Sequence, residues 1–180
     1  MSNSLLAQSA KLKKQADKIL FKSDLVKILE KFGKVEFTGS YNYDLILNPD
    51  IDLYLVVDEP NKKITQDLVN QFIDQGFWNR IKYADFVNFP YPNALESLNK
   101  SFYIGLKANI NDLEWKVDIW IVSAKQSEDF RYPWIKQKLD ANTKSIILNL
   151  KNDPNRGSIT SFAIYDAVLN NGVTSIEELK

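Results

Sequence analysis

The amino-acid sequence predicts an α+β protein, in which a small mixed β-sheet carries helices on one face and a helical region follows at the C-terminus. Three patterns support this prediction. Apolar segments of strand length alternate with helical patterns up to about residue 90, two β-rich segments flank Asn111-Asp112, and helical periodicity takes over from about Gln126. We therefore expect a core over residues 1–125 and an accessory helical region over residues 126–180.

Composition places the chain among ordinary globular proteins. Its 180 residues suffice for one domain with a substantial core but are too few for two domains of ordinary size. Hydrophobic residues make up 44% and charged residues 26%, so neither disorder nor a membrane protein is indicated. The longest apolar run, near residues 146–150, is too short for a bilayer, and the N-terminus lacks the apolar core of a signal peptide. We expect a cytoplasmic protein that does not associate with membranes.

The absence of cysteine and histidine restricts the chemistry. Without cysteine there are no disulfides or thiolate metal sites, and without histidine the commonest general base is missing. Catalysis would then depend on carboxylates, hydroxyls, lysines and hard cations. The 23 basic and 23 acidic residues balance, so no overall field attracts nucleic acid, and such a partner would need a local patch.

The N-terminal part predicts two helices. Residues 4–20 favour a helix but have few apolar positions, so we expect a solvated helix or an arm that docks elsewhere. The second helix is expected to begin after an N-cap at Ser23, to bury an apolar stripe between Leu25 and Phe32, and to end at Gly33.

The next segment predicts a strand, a turn and a second strand. Residues 35–38 form the first strand, which leads into a sharp turn at Gly39-Ser40. The second strand carries Asp50 and Asp52 and continues to Val57. Because side chains alternate along a strand, the two aspartates project to the same side, where their charges repel unless a cation lies between them. This pair indicates a metal site.

A core-facing helix follows over residues 64–77, with Gly76 at its tail. Residues 81–89 predict a strand that Pro90 and Pro92 terminate. The β-rich segments 101–109 and 113–122 predict an antiparallel hairpin across Asn111-Asp112.

Two longer helices are expected in the C-terminal region. The helical periodicity covers residues 134–150 and 159–169, and the polar segment 152–157 separates them. Ser175 and Glu178 suggest a capping box for a last short turn.

One aspartate interrupts the apolar pattern of the last strand. Asp118 lies in the segment WKVDIWIV, where it shares a side of the strand with Lys116 and Trp120. Alone, such a residue could be a charge that discourages edge-to-edge aggregation, and an Asp-x-Asp pair alone could be solvated carboxylates at a strand start.

Together these features resemble the nucleotidyltransferase superfamily with the DNA polymerase beta-like fold, in its small-molecule and minimal branches. The resemblance depends on Gly39-Ser40, on Asp50-Ile51-Asp52-Leu53 and on Asp118, and it covers about residues 24–122. It implies transfer of a nucleoside monophosphate from a nucleoside triphosphate, expected to be ATP, to a hydroxyl acceptor, with release of pyrophosphate. The acceptor class (small molecule, protein or RNA) and the oligomeric state remain open.

The resemblance also implies roles for particular residues. Asp50, Asp52 and Asp118 would be catalytic and would bind two Mg²⁺ ions, with Asp118 nearer the acceptor and positioned to take its hydroxyl proton. Gly39 would let the backbone approach the phosphates, and Ser40 would donate hydrogen bonds to the β- or γ-phosphate.

Several points depart from the family pattern or stay open. Asp44 stands where many members have a second glycine, and Pro49 stands where serine is frequent. Three cationic side chains are candidates to steady the triphosphate, and the sequence does not choose among them: Lys107, Lys116 and Arg156. Trp120 is the one tryptophan that we would test against a nucleotide.

A second hypothesis is a noncatalytic relative that binds nucleotide or a partner protein, such as the antitoxin half of a two-protein system. Asp44 in place of glycine favours it. Retention of all three acidic positions favours the enzyme, because a scaffold has no reason to cluster like charges.

Overall fold

The computed structural model describes residues 2–90, 100–129 and 131–179. The strands are β1 (Lys34–Thr38), β2 (Asp50–Val57), β3 (Arg80–Asp85), β4 (Phe102–Ile110) and β5 (Leu113–Ser123). The α-helices are α1 (Ser2–Lys22), α2 (Leu25–Leu29), α3 (Gly39–Tyr43), α4 (Lys62–Gln75), α5 (Ala124–Asp129), α6 (Pro133–Lys138), α7 (Ala141–Asn152) and α8 (Ser161–Asn171). Within these residues, no helix combines the length and apolar character needed to cross a membrane.

The chain forms two compact units. The sheet unit comprises residues 15–42 and 49–131, and the helical unit comprises residues 1–14, 43–48 and 132–180. The boundary at residue 125 that the sequence suggested stays a prediction.

The sheet unit is built on a five-stranded sheet in the order β1-β2-β5-β4-β3. β2 pairs with β5 in parallel, and the other neighbouring pairs are antiparallel. The mixed sheet expected from the sequence is therefore confirmed. It places β2 beside β5, so strands that are distant along the chain become neighbours at its centre.

One face of this sheet forms the core. The side chains of Ile51, Leu53 and Leu55 on β2 are completely buried, and alternate residues of the strand are only partly buried. α4 contributes the buried Leu68 and Phe72 and contacts β3 and β4, while α2 contacts β1. This arrangement matches the expected α+β fold with helices on the apolar face, and it assigns the polar residues of β2 to the opposite face.

The helical unit has its own core, in which α7 packs against α8. The buried residues of this cluster are Tyr43, Leu45, Ile135, Ile147, Leu148, Leu150, Ile164, Tyr165, Val168 and Ile176. Lys151 supports it by donating hydrogen bonds to the carbonyl oxygen of Leu45 (2.5 Å) and the hydroxyl of Tyr165 (3.3 Å).

The N-terminal segment is a helix, as expected; of the two alternatives left open, the solvated helix is wrong, because Ala16, Ile19 and Leu20 are buried. The expected ends of α2 were also wrong. Ser23 does not cap α2; its hydroxyl donates to the carbonyl oxygen of Ile19. Gly33 lies beyond the end of α2, and a Cβ there would lie only 2.3 Å from the carbonyl oxygen of Val56. Close packing against β2 explains this glycine.

The single helix expected over residues 134–150 is two helices, α6 and α7. Asp140 interrupts the periodic pattern, because its carboxylate accepts a hydrogen bond from the backbone N–H of Thr143 and caps α7. The last short helix, Glu177–Leu179, is capped differently from the expectation at Ser175: Glu178 accepts hydrogen bonds from Thr174.

β3 is shorter than expected. It ends at Asp85, whose carboxylate accepts hydrogen bonds from the backbone and side-chain amides of Asn88 and so forms a turn. Pro92, expected to help end this strand, lies outside the described residues. The hairpin of β4 and β5 is confirmed.

Candidate active site

The sheet brings together the three aspartates singled out from the sequence. In the parallel pairing of β2 with β5, Asp52 lies opposite Asp118 and Asp50 lies opposite Lys116. One carboxylate oxygen from each of Asp50, Asp52 and Asp118 lies within 4.8 Å of the others. Residues that are 66 positions apart along the chain thus share one small region of the polar face.

β4 supplies a residue that sequence reasoning missed. The Tyr103 hydroxyl donates a hydrogen bond to Asp118 Oδ1 at 2.7 Å. Gly105 lies opposite Asp118 in the hairpin, and a Cβ at this glycine would lie 2.3 Å from the Tyr103 hydroxyl oxygen. The glycine therefore leaves the space through which Tyr103 reaches the carboxylate. Burial and the charge of the hydrogen-bonded Asp118 raise the pKa of Tyr103, so the phenol remains a proton donor.

Lys116 holds the other oxygen of the same carboxylate. Its ammonium donates a hydrogen bond to Asp118 Oδ2. Burial acts to lower the pKa of Lys116, but the bond to Asp118 and the charges of Asp50, Asp118 and Asp52 outweigh it and raise that pKa. The lysine therefore stays protonated, and both oxygens of Asp118 have partners.

The environment of Asp50 is unfavourable to its charge. Burial raises the pKa of Asp50 and the nearby Asp118 raises it further, against the opposing influence of Lys116. Asp50 Oδ1 is buried and has no hydrogen-bond partner among the residues that the structure describes. A buried carboxylate oxygen without a partner is costly, and coordination of a cation would satisfy it.

Gly39 is required by its contact with Asp52. It follows Thr38, which lies opposite Asp52, and it has φ +60°. A Cβ at Gly39 would lie 2.3 Å from Asp52 Oδ2. The residue is first in the short helix α3, and the partly buried Ser40 comes next. The expected sharp turn is therefore the start of a helix, which places Gly39 against one of the three acids.

Of the three cationic side chains considered for binding the triphosphate, only Lys116 bonds to one of the three acids. Lys107 bonds to Glu114 instead. The Arg156 guanidinium donates to the carbonyl oxygens of Ile159 (2.7 Å) and Lys151 (3.3 Å) within the helical unit.

Trp120 lies opposite Tyr103 and shares the site face with Asp118. Its ring centroid is 5.0 Å from that of Tyr103 and 5.8 Å from that of Phe86, with which it stacks. An aromatic cluster therefore borders Asp118 on this face.

Both departures from the family pattern are accommodated locally. Asp44 has φ +58°, the left-handed conformation that glycine favours, and it pairs with Lys13 (3.4 Å) and Lys144 (3.1 Å). The Pro49 carbonyl oxygen accepts a hydrogen bond from the backbone N–H of Lys116 at 2.9 Å, so the pairing of β2 and β5 begins before Asp50. Proline is compatible with the strand pairing at this position, because the pairing uses its carbonyl oxygen and does not require a backbone N–H.

Tyr103 could have been found by counting along the hairpin. Asn111 and Asp112 both have positive φ (51° and 62°), which is typical of a two-residue hairpin turn. That turn fixes the pairs Gly105 with Asp118 and Tyr103 with Trp120. A tyrosine two residues before a glycine that faces an acid could therefore have been identified from the sequence as a candidate partner of that acid.

The donor set fits a divalent cation. Mg²⁺ prefers hard oxygen ligands and is usually bound by one or two carboxylates together with phosphate oxygens and water. Asp50, Asp52 and Asp118 offer such oxygens, and the unpartnered Asp50 Oδ1 is an independent indication that a cation belongs there.

The fold is that of the nucleotidyltransferases: a five-stranded mixed sheet with helices, in which neighbouring central strands carry the acidic residues. The chain is similar in structure to the Cid1 poly(U) polymerase bound to MgATP, with a TM-score of 0.62 and 21% identity over 88% of this chain and 50% of that one. A cytoplasmic RNA terminal U-transferase gives a TM-score of 0.59 at 21% identity, with coverage of 88% and 47%. Cid1 in complex with its short product ApU gives 0.59 at 20%, with coverage of 88% and 48%.

These likenesses establish the fold. The chain spans about half the length of those proteins. No family model and no curated protein matches the sequence.

Proposed function

We propose that this protein is a magnesium-dependent nucleotidyltransferase, which moves a nucleoside monophosphate from a nucleoside triphosphate to a hydroxyl acceptor. The observation that carries the proposal is the convergence of Asp50, Asp52 and Asp118, with ligand oxygens within 4.8 Å, in a nucleotidyltransferase fold. Three like charges held this closely repel each other unless cations compensate them. The Mg²⁺ ions of the proposed reaction would compensate this repulsion.

The three aspartates would hold two Mg²⁺ ions, and Gly39 and Ser40 would bind the β- and γ-phosphates. When bound, the ions would supply electrostatic stabilisation of the transferred group and orient the triphosphate. Support for the role of Gly39 and Ser40 comes from their place directly after β1, where Gly39 touches Asp52.

In the proposed reaction, the acceptor oxygen forms a bond to the α-phosphorus of the triphosphate. The bond between that phosphorus and the oxygen bridging to the β-phosphate breaks, and pyrophosphate leaves with the bonding electrons. Asp118 takes up the acceptor proton, and Tyr103 holds that carboxylate in position through Oδ1.

Nucleotides are supported as substrates by the similar structures, which hold MgATP in one case and the product ApU in another. We keep ATP as the expected donor. The acceptor stays within the three classes predicted from the sequence, and RNA is the first to test because two of the similar proteins act on it or polymerise uridylate. The cytoplasmic location also stays a prediction.

The direct test is transfer of label from each of the four α-³²P-labelled ribonucleoside triphosphates to RNA oligonucleotides, to protein and to small hydroxyl compounds. We expect wild-type protein with Mg²⁺ to transfer label and Asp52→Asn to lose at least about a hundredfold in rate. Asp67→Asn is the matched control, since Asp67 is a partly exposed carboxylate on α4 that pairs with Lys63.

Wild-type protein that transfers no label from any nucleotide, and binds Mg-ATP no better than Asp52→Asn does, would overturn the proposal. That outcome would favour the noncatalytic relative. Asp44, whose presence in place of glycine favoured that alternative, has φ +58°, a backbone conformation that glycine also adopts, so this substitution is a weak argument against the enzyme.

A further inference from the structure

We infer that Lys116 is a built-in counter-ion of the acid cluster, which a divalent metal ion displaces from Asp118. The inference rests on the proposed function, since it concerns how the proposed metal site is filled. It gives Lys116 two positions: on Asp118 before the metal binds, and beside the phosphates afterwards.

The first argument is the position of the ammonium. Lys116 precedes Asp118 by two residues on β5, so both side chains leave the strand on the same side, and in the parallel pairing it lies opposite Asp50. Its ammonium bonds to Asp118 Oδ2, and the charges of all three acids act on it. Lys116 therefore occupies the region of negative potential that a metal ion would need.

The second argument is that each oxygen of Asp118 already accepts a hydrogen bond from a protein side chain. Tyr103 donates to Oδ1 and Lys116 donates to Oδ2. A cation that uses Oδ2 therefore competes directly with the ammonium. Tyr103 can remain in place during the exchange, because it uses the other oxygen.

The third argument is the difference in exposure and packing between the two side chains that bond to Asp118, which are Lys116 and Tyr103. The Lys116 side chain is 42% exposed, whereas that of Asp118 is 12% exposed. A lysine has a flexible stem and a compact charge, so it can leave the carboxylate and remain near the site. Tyr103, by contrast, is confined by its passage over Gly105 and its contact with the Trp120 ring. The lysine is thus the partner that moves and the tyrosine is the one that stays.

Displacement gives the lysine a second use. Once off Asp118, the ammonium would be available to phosphate oxygens, which are strong acceptors for it. The exchange would make the cation available only when metal has bound. This also distinguishes Lys116 from Lys107, which lies opposite it on β4 but bonds to Glu114.

The first measurement is calorimetric titration with Mn²⁺ alone, without nucleotide, on wild type, Lys116→Met, Lys107→Met and Asp52→Asn. We expect Lys116→Met to bind Mn²⁺ about tenfold more tightly than wild type, equivalent to about 1.4 kcal/mol. Lys107→Met, which removes a neighbouring positive charge that does not touch the acids, should stay within about twofold.

The second measurement separates displacement from a simple change of local charge. Wild-type protein is acetylated with a limiting N-hydroxysuccinimide ester, with and without saturating Mg²⁺, and each lysine is quantified by mass spectrometry. If Mg²⁺ releases Lys116 from its carboxylate, its acetylation rate should rise about threefold or more, because the hydrogen-bonded ammonium is protected. The rate at Lys107 should not change, and Asp52→Asn should show no Mg²⁺ effect.

Each outcome decides the question. Tighter Mn²⁺ binding by Lys116→Met together with Mg²⁺-dependent acetylation of Lys116 supports the exchange. Metal binding by wild type that is lost in Asp52→Asn, with Lys116 unchanged in both measurements, overturns the exchange and leaves the metal site intact. Absence of metal binding by wild type and Lys116→Met overturns the proposed metal site and the exchange with it.

Discussion

Gly39 and Asp52 lie so close together that no side chain fits between them: a Cβ at Gly39 would be 2.3 Å from Asp52 Oδ2. Gly39 also has φ +60°, which costs an alanine roughly 1–2 kcal/mol. We predict that Gly39→Ala destabilises the protein by about 1 kcal/mol beyond that backbone cost and lowers nucleotidyl transfer by about a hundredfold, because Asp52 must move.

The control for this substitution is Gly76→Ala. Gly76 caps α4 with a similar φ of +64°, but a Cβ there would meet nothing within 4 Å. Urea unfolding and transfer assays on both variants separate backbone strain from contact with the acid. Equal loss of stability and activity in the two variants would contradict the importance of the contact.

Tyr103 should matter for rate more than for folding. Tyr103→Phe removes the hydrogen bond to Asp118 Oδ1 while keeping the ring contact with Trp120. A hydrogen bond to a charged group contributes about 1.5–3 kcal/mol, so we expect a loss of about tenfold or more in the turnover number. Tyr83→Phe is the control, since Tyr83 lies opposite Ile104 on the apolar side of the sheet. Unchanged turnover in Tyr103→Phe would rule out a positioning role.

Asp50 should show opposite effects on stability and function. Burial raises its pKa and Oδ1 has no partner among the described residues, so its charge destabilises the metal-free protein at neutral pH. We predict that Asp50→Asn raises the free energy of unfolding in EDTA by about 1 kcal/mol and abolishes the Mg²⁺-induced increase in melting temperature. Asp67→Asn should change neither by more than about 0.5 kcal/mol. A less stable Asp50→Asn variant in EDTA would contradict this account.

Asp44 should contribute a pH-dependent part of stability. Burial acts to raise the pKa of Asp44, but the hydrogen bond and charge of Lys144 and the charge of Lys13 outweigh it and hold the pKa below its usual value. A carboxyl whose pKa is lowered in the folded state stabilises the fold above the unfolded-state pKa of about 3.9. This stabilisation is lost as the pH falls through the lower, folded-state pKa.

The measurement is urea unfolding of wild type and Asp44→Asn between pH 7 and pH 2.5. The two stability curves should be furthest apart at neutral pH and should converge in acid. Curves that stay parallel down to pH 2.5 would exclude a contribution from these ion pairs.

Alternation along strands made the three acids predictable. Asp50 and Asp52 had to share a side of β2, and the apolar residues around Asp118 marked a strand. What the sequence could not supply was the neighbour relation of β2 and β5, because strand order depends on packing of the whole sheet. The family resemblance implied only that the three acids share a metal site.

Local hydrogen bonds account for most of the errors in secondary structure. Asp140 divides one predicted helix into two, and Asp85 ends β3 early, because short acidic side chains satisfy backbone N–H groups in competition with the regular pattern. Periodicity alone does not reveal which of the many aspartates will do so.

The two-residue turn at Asn111 and Asp112 touches none of the acids, yet its length sets which residues of β4 face Asp118. Adding one residue to it would shift the register and turn Tyr103 and Gly105 toward the apolar side. An insertion in this surface loop is therefore expected to disrupt the site, whereas replacement of Asn111 or Asp112 by glycine, which also adopts positive φ, should be tolerated. The length of a connection that is remote from the chemistry thus constrains the site as strictly as the carboxylates do.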